Sequence, residues 1–280
     1  MSVVLGVVVA ACFGSGDFLG GLASRQIPTI TALGIAQITA LVGAVIVAVV
    51  AGGNPGTGDI ALGAAAGLLN VAALGCLYRG LAVGRIGVVA PLAAVIGAVI
   101  PVAWALLVGE RPTALAMVGV VLAILAGGLI SSSPDESATG SSRTSLLLAV
   151  AAGTGFGLSF ICYVATSHDS GLWPLLTARG AAVVGVLVVA AVTRPSLAVP
   201  RVPGGQAMVA GVFDVIAAAL LLVAARSGLA ATVAPVAALG PGFTVGHARW
   251  YLHERSSRIQ LVGLVLALGA LALIAGGSTG

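Results

Sequence analysis

Charge is what this sequence has least of. Only 7% of its 280 residues are charged, against about 25% in a soluble domain. A water-soluble enzyme of this length is excluded, because it would lack the polar surface to cover itself. Lysine is absent and all twelve basic residues are arginine. They stand singly, so a pI near 9.5 carries no implication of nucleic acid. Aromatic residues are scarce at 4% and cysteines number three. Cys12, Cys76 and Cys162 lie in apolar runs with neither CxxC spacing nor a histidine cluster. That gives no support to a disulfide framework or a zinc site and reads as inert buried thiols. His168, His247 and His253 lack metal spacing, and no G-x-S-x-G, H-E-x-x-H or Walker loop occurs. No catalytic residue, cofactor or metal is therefore expected. With no nucleotide-binding loop, ATP cannot drive this chain directly.

What is abundant is apolar matter. Hydrophobic residues make up 59%, glycine contributes 41 positions, and mean hydropathy is +1.19. This composition excludes disorder. Glycine and alanine inside long apolar runs are what closely packed transmembrane helices use. The fold class read from this is an all-α, polytopic membrane protein.

A span needs roughly 20 apolar residues. Cutting at charged and Gly/Pro/Ser-rich breaks gives ten: 3–22, 29–51, 60–82, 87–108, 113–131, 145–166, 172–192, 207–226, 229–250 and 258–276. Val9-Ala10-Ala11-Cys12 mimics a lipoprotein cleavage site, but no basic stretch precedes it and the apolar run continues to Leu22. The first span is read as retained.

A polar stretch, 132–144, divides the chain into five-span halves, 1–131 and 145–280. At a shift of 144, Gly67 falls on Gly211, Asn70 on Asp214, Ala90-Pro91 on Ala234-Pro235, Glu110-Arg111 on Glu254-Arg255 and Gly119 on Gly263. Nearer the start of each half the shift is 141 to 142, matching Ala11 with Ala152, Gly14 with Gly155, Gln37 with Arg179 and Gly43 with Gly185. Five spans per half would make the second half enter the membrane from the opposite side. That is an inverted repeat, as used by secondary transporters that alternate access around a midplane site.

The Gly-Ser-Gly-Asp-Phe stretch at Gly14–Phe18, the two Ala-Pro helix openings, and the Gly-Glu-Arg-Pro and His-Glu-Arg turns at 109–112 and 253–255 resemble the EamA-type ten-helix transporters of the drug/metabolite transporter superfamily. The likeness covers nearly the whole chain. It implies movement of small metabolites, amino acids and related compounds among them, through a cavity between the halves, with export as the expected direction. It also implies a multi-pass plasma-membrane location, with a small-molecule substrate and the lipid bilayer as partners and a homodimer as a further assembly. Its members often keep both termini in the cytoplasm and carry basic residues between helices two and three, which this chain lacks. The odd-numbered loops carry Arg25, Arg85, Arg143, Arg194, Arg201, Arg255 and Arg258, the even-numbered ones Arg111 and Arg226. That asymmetry puts the odd loops inside and both termini outside, so the two indications of orientation disagree.

Ionisable residues within spans are functional candidates by default. Asp17 lies behind Gly14 and Gly16 in the first span. It can take up and release a proton, pair with a cationic substrate, or serve as a structural partner of Arg25 or Arg85. Gln37 and Arg179, and likewise Asn70 and Asp214, occupy equivalent mid-span positions. Arg179 and Asp214 are expected to approach each other, either to contact a zwitterionic or anionic substrate or to join helices seven and eight. Arg79 and Tyr78 are read as the end of the third span, with Arg79 snorkelling. Trp104, Phe156, Phe160, Tyr163, Phe243 and Trp250 are candidates for a cavity wall, with Trp104 and Tyr163 singled out; Trp173 reads as an interfacial anchor. Pro91 and Pro101 in helix four, and Pro235 and Pro241 in helix nine, are the expected flexure points and gates. A lipid-directed intramembrane enzyme would need an acidic or histidine cluster at one interface, and none is seen. The remaining alternative is a non-transporting scaffold or channel-like subunit.

Overall fold

The long Ala/Val/Leu/Gly runs become helices because a chain in hydrocarbon must satisfy its own backbone polar groups. A computed structural model describes residues 2–109, 113–131, 141–196, 198–226, 239–253 and 257–277. It contains ten α-helices and one 3-10 turn, His168–Ser170, with no strand among the described residues. The helices are α1 (Ser2–Ala23), α2 (Thr29–Ala51), α3 (Thr57–Val83), α4 (Ile86–Leu107), α5 (Ala114–Ser131), α6 (Ser141–Val164), α7 (Trp173–Thr193), α8 (Arg201–Arg226), α9 (Gly240–Tyr251) and α10 (Arg258–Gly277). Seven are long and apolar enough to cross a membrane.

Local chemistry sets the ends. Pro28 stands at the N-cap of α2, and Gly52 ends that helix with a φ of 67°, in the left-handed region that glycine reaches without strain. Pro174 sits in the first turn of α7, where its missing N–H is no loss. The structure corrects the sequence in two places. α8 begins at Arg201, six residues ahead of the expected 207, because Pro203 and Gly204 lie within its first turn rather than before it. Leu239 caps α9 so that Pro241 starts that helix instead of interrupting it; Pro91 and Pro101 lie inside α4, where the sequence put them. Pro235, with Ala234, lies outside the described residues, as do Glu110, Arg111, Pro112, Glu254 and Arg255.

Large apolar side chains line the outside of the bundle: Val42, Ile46 and Val49 on α2, Val121 and Ile124 on α5, Val188 and Val192 on α7, Val262 and Val265 on α10. An exposed surface of this kind needs hydrocarbon around it. Small residues line the inside. Gly67 of α3 lies against the backbone of Ala178 on α7, and Gly211 of α8 against the backbone of Ala36 on α2; neither leaves room for a methyl group. Such contacts let transmembrane helices approach closely.

The contacts exchange when the halves are exchanged. α1 packs on α8 as α6 packs on α3, α2 on α8 as α7 on α3, and α1 on α9 as α6 on α4. Residues follow the same rule. Gly43 meets Val215 while Gly185 meets Val71; Gly240 meets Ala10 and Phe13 while Gly97 meets Gly153 and Phe156; Gly14 meets Gly240 and Phe243 while Gly157 meets Gly97 and Ile100. In α1 and α6 this packing makes Gly14 the counterpart of Gly157, two residues beyond the match to Gly155 that residue identity suggests.

Turns gather at two ends. At one, Arg25 donates to the carbonyls of Leu81 and Gly84 (3.0–3.3 Å), Gln26 Nε2 to Gln206 Oε1 (3.2 Å), and Thr31 Oγ1 to Ser196 O (3.1 Å). At the other, Asp59 in the first turn of α3 accepts from the Ser167 N–H (2.7 Å), the Ser167 hydroxyl (2.8 Å) and the Gly56 N–H (2.9 Å), while Asn54 N–H donates to Asp169 O (2.9 Å).

Candidate functional site

A cavity of about 270 Å³ lies between the halves. Phe13 and Asp17 come from α1, Leu77 from α3, Phe156 from α6, Gly240 and Pro241 from α9, and Leu271 from α10. The α4 wall is Ala90, Ala93, Ala94 and Ala98, one face of a helix at three- and four-residue spacing. Those short side chains leave the space open. By the paired glycine contacts Phe13 corresponds to Phe156 and Ala98 to Pro241, and both members of each pair line the cavity. Asp17 is the single ionisable side chain in its described lining. Glycine makes that placement possible: Gly14 brings α1 onto α9, Gly16 brings it against Ala210 and Phe213 of α8, and Gly20 takes the ring of Tyr78. The Gly16/Gly20 spacing thus serves two neighbours, whereas Gly153 and Gly157 both meet α4.

Next to this cavity, but not in its lining, lies a buried polar junction. Arg179 Nη1 is 2.7 Å from Asp214 Oδ2 and donates to Gln37 Oε1 at 3.3 Å. Three helices, α7, α8 and α2, meet there. The residues reach one another because each charged or amide position follows a glycine crossing: 37 succeeds Ala36, under Gly211, and 179 succeeds Ala178, under Gly67. Arg179 is 4% and Gln37 1% exposed. Asn70, equivalent to Asp214, is half-buried; its Oδ1, like Arg179 Nε, is a buried atom with no hydrogen-bond partner among the described residues. Asp17 and Asp214 lie within electrostatic range of each other, and Tyr78 and Tyr163 lie within range of both Arg179 and Asp214. Tyr78 also senses Asp17.

The sequence-derived candidates divide accordingly. Asp17, Phe156 and Pro241 line the cavity; Gln37, Arg179 and Asp214 form the junction. Arg25, one proposed partner of Asp17, gives its guanidinium to Leu81 O and Gly84 O. Trp104 is 48% exposed and lines neither this cavity nor the second one described below, Phe160 also faces outward, and Trp250 borders only that second, more open cavity beside α9 and α10. Pro91 is buried and Pro101 half-buried within α4. The three cysteines are free and half-buried, and no group of metal-ligating side chains occurs among the described residues.

Several residues were not legible as site elements. Tyr78, read as a span end, is 2% exposed inside the bundle. Ser159 donates to Ala66 O (2.9 Å) and Thr244 to Gly14 O (3.1 Å), tying α6 to α3 and α9 to α1. The α4 alanines did carry a signal, their spacing on one helix face. A second, more open cavity of about 450 Å³ lies beside α9 and α10, with Phe243, His247, Trp250 and Leu268 in its wall. There His247 donates through Nδ1 to Phe243 O (2.6 Å) and stacks on Phe18 at 5.4 Å.

Comparison with known proteins adds three findings. Residues 1–132 match the EamA-like transporter family. A solved structure, described only as "Crystal structure of protein", is similar over 97% of this chain and 95% of its own, with a TM-score of 0.62 and 12% identity. That likeness concerns the fold. No curated protein matches the sequence.

Proposed function

We propose that this chain, whose first half belongs to the EamA-like transporter family, is a secondary transporter that carries small amine-bearing metabolites, amino acids or related compounds, by alternating access. It is a membrane transporter of the drug/metabolite transporter superfamily; substrate, direction and coupling are our reading. In that reading residues 1–131 and 145–280 are two inverted five-helix repeats, the membrane is the plasma membrane, and α4 and α9 move against α6 and α1 to expose the cavity to each side in turn. The observation that carries it is the central cavity, lined by equivalent positions of the two halves, such as Phe13 and Phe156, around one carboxylate. A midplane site between structural repeats is where alternating-access carriers bind. The same proposal includes export and proton coupling, with Asp17 as the proton-exchanging group.

Flux into liposomes that hold the purified protein tests this. A mixed amino-acid and amine panel, with and without an imposed pH gradient, should show saturable flux that responds to the gradient and fails in Asp17→Asn. Absence of flux for every compound would favour a scaffold.

A further inference from the structure

We infer that the central cavity is built for a small monovalent organic cation with an apolar body, with Asp17 as its counter-ion. This rests on the transport reading above and narrows its substrates to amines without a carboxylate, setting zwitterionic amino acids aside.

Arg179 is already matched by Asp214 at 2.7 Å and by Gln37 at 3.3 Å. Asp17 has no cationic partner among the described residues, and the cavity lining described offers no second ionisable group. A carboxylate taken out of water without compensation is expensive. The ligand or a proton must supply the missing positive charge. A substrate carboxylate would find no free cation here and would sit near Asp17 and Asp214, which already sense each other. Zwitterions and anions are therefore disfavoured, and amines without a carboxylate are selected.

The remaining polar groups facing this region do not change the count. Tyr78 of α3 and Tyr163 of α6 lie within electrostatic range of Asp214, and neither is in the cavity lining. From α9, His247 stacks on Phe18 and turns its Nδ1–H to Phe243 O, and Tyr251 meets Phe18 edge-on. α4 contributes only alanines to the lining. Those alanines with Phe13 and Phe156 suit a hydrocarbon or aromatic body, and phenyl rings attract cations. At about 270 Å³ the cavity falls just below the usual range of roughly 300–1,000 Å³ for ligand pockets, so bulky polycyclic cations are excluded.

Proton and cation are exclusive occupants of one carboxylate. The O–H bond of protonated Asp17 must break before the ion pair forms, and the proton leaves to water.

The test is calorimetric binding to the full chain in nanodiscs, with benzyltrimethylammonium, phenylalanine and phenylpropionate as probes. The first carries a permanent charge, so any pH dependence belongs to the protein. The cation should bind and the other two should not. Its affinity should fall by up to about tenfold per unit of acidification, the limit for competition with one proton. Asp17→Asn should weaken it about tenfold or more, as expected for loss of a charged partner, and Trp104→Phe should leave it unchanged. If Asp17→Asn does not fold, the pH slope of the unaltered protein decides. Tighter binding of phenylalanine or phenylpropionate, no cation binding, or a flat pH profile overturns the assignment. Saturable phenylalanine flux without cation binding would sink the cation site and leave the transporter standing. Cation binding without flux of any compound would do the reverse.

Discussion

Arg179 and Asp17 are both ionisable groups in a low-dielectric bundle, but they answer to different partners, and their variants should behave in opposite ways. Removing one member of the Arg179–Asp214 pair strands the other. Arg179→Gln or Asp214→Asn should lower stability by about 3–5 kcal/mol, as for other broken buried pairs, while Arg179→Met with Asp214→Leu should regain most of it. Thermal unfolding in detergent checks this; single variants as stable as the double would contradict it. Asp17→Asn removes a charge with no cationic partner, so the same assay should show stability kept or raised while binding is lost. The approach of Arg179 to Asp214 was legible, because two mid-span charges of opposite sign offset each other's burial; that Gln37 joins them was not, because it depends on which helices the glycine crossings bring together. Tyr78 was not, because a tyrosine before an arginine at a span end looks interfacial. Only the absence of a side chain at Gly20, on another helix, opens the slot that takes its ring.

Helix packing here is governed by which glycines face a neighbour. A methyl group at Gly67 has nowhere to go against Ala178, whereas Gly180 of α7 faces open space. Gly67→Ala should therefore reduce the yield of folded protein. Gly180→Ala should be neutral or stabilise by about 0.5–1 kcal/mol, the ordinary helix preference for alanine. Size-exclusion profiles and melting curves of the two variants decide it. The spans and their polar breaks were legible to within a few residues for most helices, because hydropathy alone fixes them. The register between α1 and α6 was not. Glycine and alanine are so common that identity matching finds false partners, and only the contacts of Gly14 and Gly157 set it. The α4 wall makes a further prediction at this scale. Ala94→Phe should fill the cavity, leave the melting temperature near its original value and abolish cation binding; unchanged binding would place the ligand elsewhere.

At the scale of the molecule, the two ends are closed by different chemistry. One relies on Gln26 with Gln206 and on Thr31 with Ser196; the other has the buried carboxylate of Asp59 gripping Ser167. The proposed alternating-access cycle requires each to part in turn. Cysteines introduced at Gln26 and Gln206, joined by a short reducible cross-linker, should stop flux, and reduction should restore it; full flux in the linked protein would exclude opening at that end. Two identical halves would give two facings of equal energy, since exchanging the halves turns one into the other. These halves are not identical: one carries Arg179 and Asp214 where its counterpart carries Gln37 and Asn70, and Asp59 has proline, Pro203, at the matching place. A difference of only about 1.4 kcal/mol sets two populations tenfold apart. In the proposed alternating-access cycle the degeneracy is thus broken by the amino-acid sequence itself, and the empty protein would rest with a preferred side shut before any ligand arrives.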